Sequence, residues 1–316
     1  MEKTCFMRLD KLLARHGFGT RSTVKKLLRS AKVQVNGCVC TKADAVVDSE
    51  KDCISVDGQK ITIVSNVYIM INKPQNTLCS SCDGAYPSVL SLLDEKYRSR
   101  FLGGKLHITG RLDADTEGLL LCTSDGQLTH RIISPKQSIA KTYFVRLRDV
   151  PGDPELYVRS FEKGISVPPE SGERGFVARS ARLCWLNEAQ AAAYGGADEQ
   201  NGLAAAYADS ARTAFCMLSI FEGKYHQVKR MFAAMGNEVV FLKRTAIGSL
   251  QLDSTLKTGC WRELTEKEKQ TLFLEAGITD TEKRKKNPAA ENGGGGGQKE
   301  RRRMQKMSLP YECWLS

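Results

Sequence analysis

The sequence predicts an α+β chain in which a small basic helical unit precedes a larger mixed, mainly antiparallel sheet flanked by helices. Three observations carry this. Leucines recur at helical spacing near the N-terminus and are followed by an alternating run broken at Asn36-Gly37. Six strand-like apolar runs then follow, most of them separated by loops or single helices. The last forty residues turn basic, glycine-rich and poor in apolar side chains. The boundaries expected from these shifts are 1–64, 67–275 and 276–316.

In the first segment Leu9, Leu12 and Leu13 share one helix face, which Gly17 closes. A second helix places Val24, Leu27, Leu28 and Ala31 at i, i+3, i+4 and i+7. Arg21, Lys25 and Arg29 recur every fourth residue and form a stripe away from that face. Val33 to Val39 reads as two short strands about the Asn36-Gly37 turn. Eight basic residues and one acid lie between Arg8 and Lys32, so the helix offers cations to a polyanion, or else a solvated basic face.

In the second segment the expected strands are Val67–Ile71, Gly118–Cys122, Thr142–Leu147, Phe176–Trp185, Phe215–Phe221 and Val239–Leu242. The Ala- and Gly-rich stretch from Glu188 to Arg212 reads as an insertion in a hairpin connection, with room for a short helix. The third segment carries Lys283 to Lys286, five glycines from Gly293 and Arg301 to Arg303, and is expected to be a disordered basic tail.

Composition narrows the function. The 316 residues carry 47 basic and 36 acidic side chains, a net charge of +11. This favours a polyanionic partner. No apolar run reaches the length of a membrane span, and the N-terminus lacks the apolar core of a secretory signal. The expected compartment is the cytoplasm, with no membrane association. Eleven cysteines include one Cys-x-x-Cys pair, Cys79 and Cys82, with no second pair at zinc spacing, so no structural metal is expected.

Two segments concentrate chemistry. Gly110-Arg111-Leu112-Asp113-Ala114-Asp115-Thr116-Glu117 is a polar loop feeding an apolar strand. A carboxylate there, beside a cation, suits catalysis; a salt-bridged turn has the same composition. Two carboxylates could also hold Mg²⁺, but no third ligand recurs at useful spacing. In Glu222 to Gly236, Val228, Met231, Phe232 and Met235 form an apolar helix face ended by Gly236. Arg230 points away from this face and Lys229 lies at its edge, which fits a lysine reaching into a cleft or an ordinary core helix with a solvated side.

Taken together, the motifs are specific. Arg8-Leu9-Asp10-Lys11-Leu12-Leu13, the basic helix and Val33-x-Val35-Asn36-Gly37 resemble the S4 RNA-binding domain. Met70-Ile71-Asn72-Lys73-Pro74, Gly110-Arg-Leu-Asp-x-x-Thr-x-Gly-Leu-Leu, Lys141-Thr142-Tyr143 and Glu222-Gly-x-x-His-Gln-Val-Lys-Arg-Met resemble, in order, the RsuA branch of pseudouridine synthases. The resemblance implies an enzyme that flips a uridine out of structured RNA and isomerises it. It makes Asp113 the nucleophile, attacking ribose C1′ or uracil C6, and sets Tyr143 against the flipped base. Lys229 is expected to pair with Asp113 and hold it ionised. Arg111, Lys73 and Arg230 are expected at the substrate, with Arg21, Lys25 and Arg29 on the RNA backbone. No cofactor is implied.

Within the branch, Ala233-Ala-Met-Gly-Asn237, Arg131-Ile-Ile-Ser-Pro135 and Trp261-Arg-Glu-Leu-Thr265 are most similar to enzymes of small-subunit (16S) rRNA, which implies uridine 516 as target, in free RNA or a partly assembled subunit. Large-subunit (23S) enzymes share most of these features. A non-catalytic S4 protein of ribosome assembly would need neither the Asp113 nor the Lys229 segment. An S4-linked methyltransferase would need a glycine-rich loop where Asn72-Lys73-Pro74 stands.

Overall fold

The computed structural model describes residues 6–49, 51–61, 66–98, 106–170, 172–194 and 213–278. The N-terminal unit packs helices Leu9–Arg15 and Arg21–Arg29 on a four-stranded sheet of Cys38–Val39, Val33–Val35, Ile54–Val56 and Gln59–Lys60. Leu9, Leu12, Leu13, Val24 and Leu28 are fully buried against Val33, Val47 and Ile54. Each such side chain contributes about 1.5–3 kcal/mol of burial. Asn36 and Gly37 both take positive φ, 52° and 81°, as the hairpin requires. Ala31 departs from expectation. The helix ends at Arg29, and Ala31 turns out to solvent at φ 58° to start the chain toward Val33.

The larger unit is built on a nine-stranded sheet. Its order runs Arg182–Leu186, Ala214–Ile220, Lys141–Leu147, Val239–Ile247, Glu117–Thr123, Tyr68–Lys73, Trp261–Glu263, with His107–Thr109 and Leu250–Gln251 pairing onto it. Every pairing is antiparallel except that of Val239–Ile247 with Glu117–Thr123. The Tyr68–Lys73 strand shows why both faces are apolar. Ile69 and Ile71 enter one core with helix Gln227–Ala233, whereas Tyr68 and Met70 enter a second core with helices Gly126–Ile133 and Glu266–Glu275.

Two strand expectations change. Phe176–Trp185 is not one strand. Phe176–Val177 pairs with Ser166–Val167 in a separate hairpin, and only Arg182–Leu186 joins the main sheet. Val239 continues to Ile247 through Lys243, Arg244 and Thr245, all buried. The stretch from Glu188 does lie in a hairpin connection, because Arg182–Leu186 and Ala214–Ile220 are antiparallel neighbours, and it opens with helix Glu188–Ala192 under an Asn187 capping box. The rest of that stretch, 195–212, lies outside the described residues. Folded structure continues past the boundary expected at 275. Ala276 and Ile278 are buried in the second core, and residues 279–316 lie outside the described residues.

Candidate active site

Asp113 sits on the connection between strands His107–Thr109 and Glu117–Thr123, which pair with each other. Thr116 N–H donates to the Asp113 carbonyl at 3.1 Å, closing a turn through Ala114 and Asp115. The loop then enters a strand at Gly118 (φ 97°), where any side chain would collide with the Arg244 backbone, its Cβ only 2.3 Å from the carbonyl oxygen. That close approach lets Glu117–Thr123 run parallel beside Val239–Ile247, with Gly118 opposite Arg244.

Two buried cations hold this loop by its main chain. Lys73 is fully buried. Its Nζ donates to the carbonyls of Pro74 (2.9 Å), Ala114 (3.1 Å) and Thr116 (2.9 Å). Burial pulls its ammonium below the ordinary lysine value, against the opposing influence of Cys79, Asp115, Glu117 and Asp113. Arg244 donates from Nε to the Leu119 carbonyl (2.8 Å) and from Nη2 to that of Gly110 (3.3 Å), and so grips the loop at both ends. Leu112 N–H donates to Cys79 Sγ at 3.4 Å, next door to Asp113. A loop anchored at Gly110, Leu112, Ala114, Thr116 and Leu119 has little freedom, so it presents its carboxylate in one place.

The Asp113 carboxylate remains about one third exposed. Across from it is His226, with Nε2 3.6 Å from Asp113 Oδ1. Lys229, on the next turn of helix Gln227–Ala233, pairs with Asp115 instead. The expected Lys229–Asp113 pair is therefore corrected. The turn through Ala114 carries Asp115 out toward the helix edge, while Asp113 faces the residue just before the helix. Tyr143 is buried in the core that also takes Leu112 and Val228. Behind it Lys141 Nζ donates to the Ile132 carbonyl at 3.3 Å, and burial, reinforced by Arg244, pulls that ammonium down to about 8.

The remaining expected site residues divide sharply. Arg111 is exposed beside Asp113 and makes no ion pair among the described residues. Arg21, Lys25 and Arg29 are all exposed along their helix. Lys73 and Arg230, both expected at the substrate, are corrected to structural positions. Arg230 is only 4% exposed and donates to the carbonyls of Pro168 (2.8 Å) and Arg174 (3.1 Å), with its guanidinium over Phe176. The Ser166–Val177 hairpin covers that side of the helix, and nothing local in the sequence places it there. Arg244 was not expected at the site. Its sequence signal is a Lys-Arg-Thr run continuing a strand that otherwise reads as apolar. Among the described residues no group of three metal-ligating side chains is found, and no helix is long and apolar enough to cross a membrane.

Comparisons with known proteins agree with this geometry. Residues 67–234 match the RNA pseudouridylate synthase family model, and residues 7–53 match that of the S4 domain. A ribosomal small subunit pseudouridine synthase A from Vibrio cholerae is 39% identical over 84% of this chain and 100% of its own length. One of the same name from Haemophilus influenzae is 40% identical over 84% and 99%. The crystal structure of a pseudouridylate synthase aligns at 36% identity over 84% of this chain and 99% of that one, with a TM-score of 0.52. With the Asp113 loop and the His226–Lys229 segment facing each other, the chain belongs to the RNA pseudouridylate synthase family and is an RNA pseudouridine synthase with an N-terminal S4 domain.

Proposed function

We propose that this enzyme converts one uridine of 16S rRNA, uridine 516, to pseudouridine, with Asp113 as the nucleophile. RNA docks through phosphates on Arg21, Lys25 and Arg29, and the target leaves its stack to reach Asp113. The Asp113 carboxylate adds to ribose C1′ or uracil C6, and the N1–C1′ bond breaks. The uracil turns in place, C5 bonds to C1′, and the bond to Asp113 breaks, returning its electron pair to the carboxylate. The C5 proton then leaves, and N1 gains a proton. Atoms and electrons balance within the nucleoside, so the proposal includes no cofactor. Tyr143 packs on the flipped base, and exposed Arg111 meets a neighbouring phosphate.

The observation that carries this reading is Asp113 itself, a partly exposed carboxylate on a loop held at five backbone positions. The small-subunit substrate rests on the names of the relatives from Vibrio cholerae and Haemophilus influenzae. The test is to incubate the protein with unmodified 16S and 23S transcripts and map pseudouridine chemically. One new pseudouridine in 16S RNA at position 516, absent with Asp113→Asn, is expected. Modification of 23S RNA alone would overturn the substrate. Silence on both transcripts and on partly assembled subunits would overturn the activity.

A further inference from the structure

His226 holds φ 47°, a left-handed backbone that costs a non-glycine residue about 1 kcal/mol or more. It stands at the N-cap of helix Gln227–Ala233, yet its side chain makes no capping hydrogen bond. The strained backbone therefore gains the helix nothing through that side chain. What it does is aim the imidazole, with Nε2 toward Asp113 and one ring face against Tyr225 (centroids 3.8 Å apart, planes 18° apart). Tyr225 is 47% exposed, and its hydroxyl has no hydrogen-bond partner among the described residues. An aromatic ring left half in water, one imidazole away from the catalytic carboxylate, has no packing role to explain it.

We propose that Tyr225, seated on His226, is a stacking platform for the unpaired base next to the flipped nucleotide. The inference rests on the reading that the substrate uridine is flipped to Asp113. Extruding a base deprives its neighbours of a stacking partner, and an exposed tyrosine offers a π-face to replace it. Stacking of this kind tolerates any base, so Tyr225 supports binding and orientation and leaves the target choice to other contacts. His226 is then a positioning residue: it supports the tyrosine ring on one side and faces the nucleophile on the other.

The experiment uses the full chain and a 16S rRNA fragment spanning uridine 516, with 2-aminopurine placed in turn on either side of the target. The wild type and Tyr225→Phe should quench 2-aminopurine at one flanking position. Tyr225→Ala should not, and should bind the fragment about tenfold more weakly. An abasic site at that position should weaken the wild type by the same factor and leave Tyr225→Ala unchanged. No quenching by the wild type at either position, or equal quenching by Tyr225→Ala, would overturn the proposal. Pseudouridine formation is followed on the same RNA: quenching without isomerisation would keep the platform and overturn uridine 516 as the target.

Discussion

Cations do opposite work in the two halves of the molecule. On the N-terminal helix, Arg21, Lys25 and Arg29 are exposed, repeat every fourth residue and follow the helix surface. Around Asp113, Lys73 and Arg244 are buried and spend their hydrogen bonds on backbone carbonyls. The first set can be removed with little loss of fold. The second set is part of the fold, and the position of Asp113 depends on it. Positive charge thus forms a solvent-facing stripe in one region and an internal brace for the Asp113 loop in the other.

The sharpest way to break this comparison is Lys73→Met. It leaves three carbonyls without their donor and should destabilise the protein by about 3 kcal/mol. With the loop displaced, kcat should fall by about a hundredfold. Chemical denaturation with single-turnover kinetics checks both, and a stable, active variant would mean that the loop holds itself. The complementary change is Arg21, Lys25 and Arg29 to Gln together. Stability should move by less than about 0.5 kcal/mol. The slope of log affinity against log salt should flatten by about 2 to 3, at roughly 0.7–0.9 per phosphate contact. An unaltered slope would reduce the stripe to a solvated face.

A smaller effect concerns pH and lies away from the site. The hydrogen bond from Arg262 pulls the Glu268 carboxyl down to about 2 from an ordinary 4.5, while its partial burial opposes this. The pair's contribution is fully present above pH 4.5 and is lost as pH falls through about 2. Because the pair is partly exposed, the loss should stay near 1 kcal/mol. Arg262→Gln should flatten this part of the stability profile, and an unchanged acid limb would contradict the linkage. The smallest effect is expected for Asp115→Asn. Its pair with Lys229 is largely solvated, so stability should change by less than about 1 kcal/mol and turnover by only a few fold. A loss as severe as that of Asp113→Asn would mean that the two carboxylates act as one unit.

The local parts of this account were legible in the sequence. Leu9, Leu12 and Leu13 announce their helix by spacing, Asn36-Gly37 announces its turn by backbone preference, and the Asp113 loop stands out as polar residues feeding an apolar strand. What could not be read is where long side chains end. Lys229 was assigned to Asp113 because both lie in the motifs, but a two-residue turn decides that Asp115 meets it. Arg230 faces away from the helix's own apolar stripe, as spacing requires, yet a hairpin sixty residues upstream covers it. Nothing local in the sequence marks Lys73 and Arg244 as buried, because only tertiary contact supplies their carbonyl partners. The Phe176–Trp185 run was read as one strand because apolar content alone does not show that its ends pair with different partners.

The most direct test of the central claim follows the C5 hydrogen. Asp113→Asn is nearly isosteric and removes the proposed nucleophile without touching Lys73, Arg244 or the basic stripe. With RNA tritiated at uridine C5, the wild type should release tritium to water, whereas Asp113→Asn should release none while binding the RNA as tightly. Release by Asp113→Asn at a rate near wild type would show that the carboxylate held at the centre of this loop is not what attacks the nucleoside.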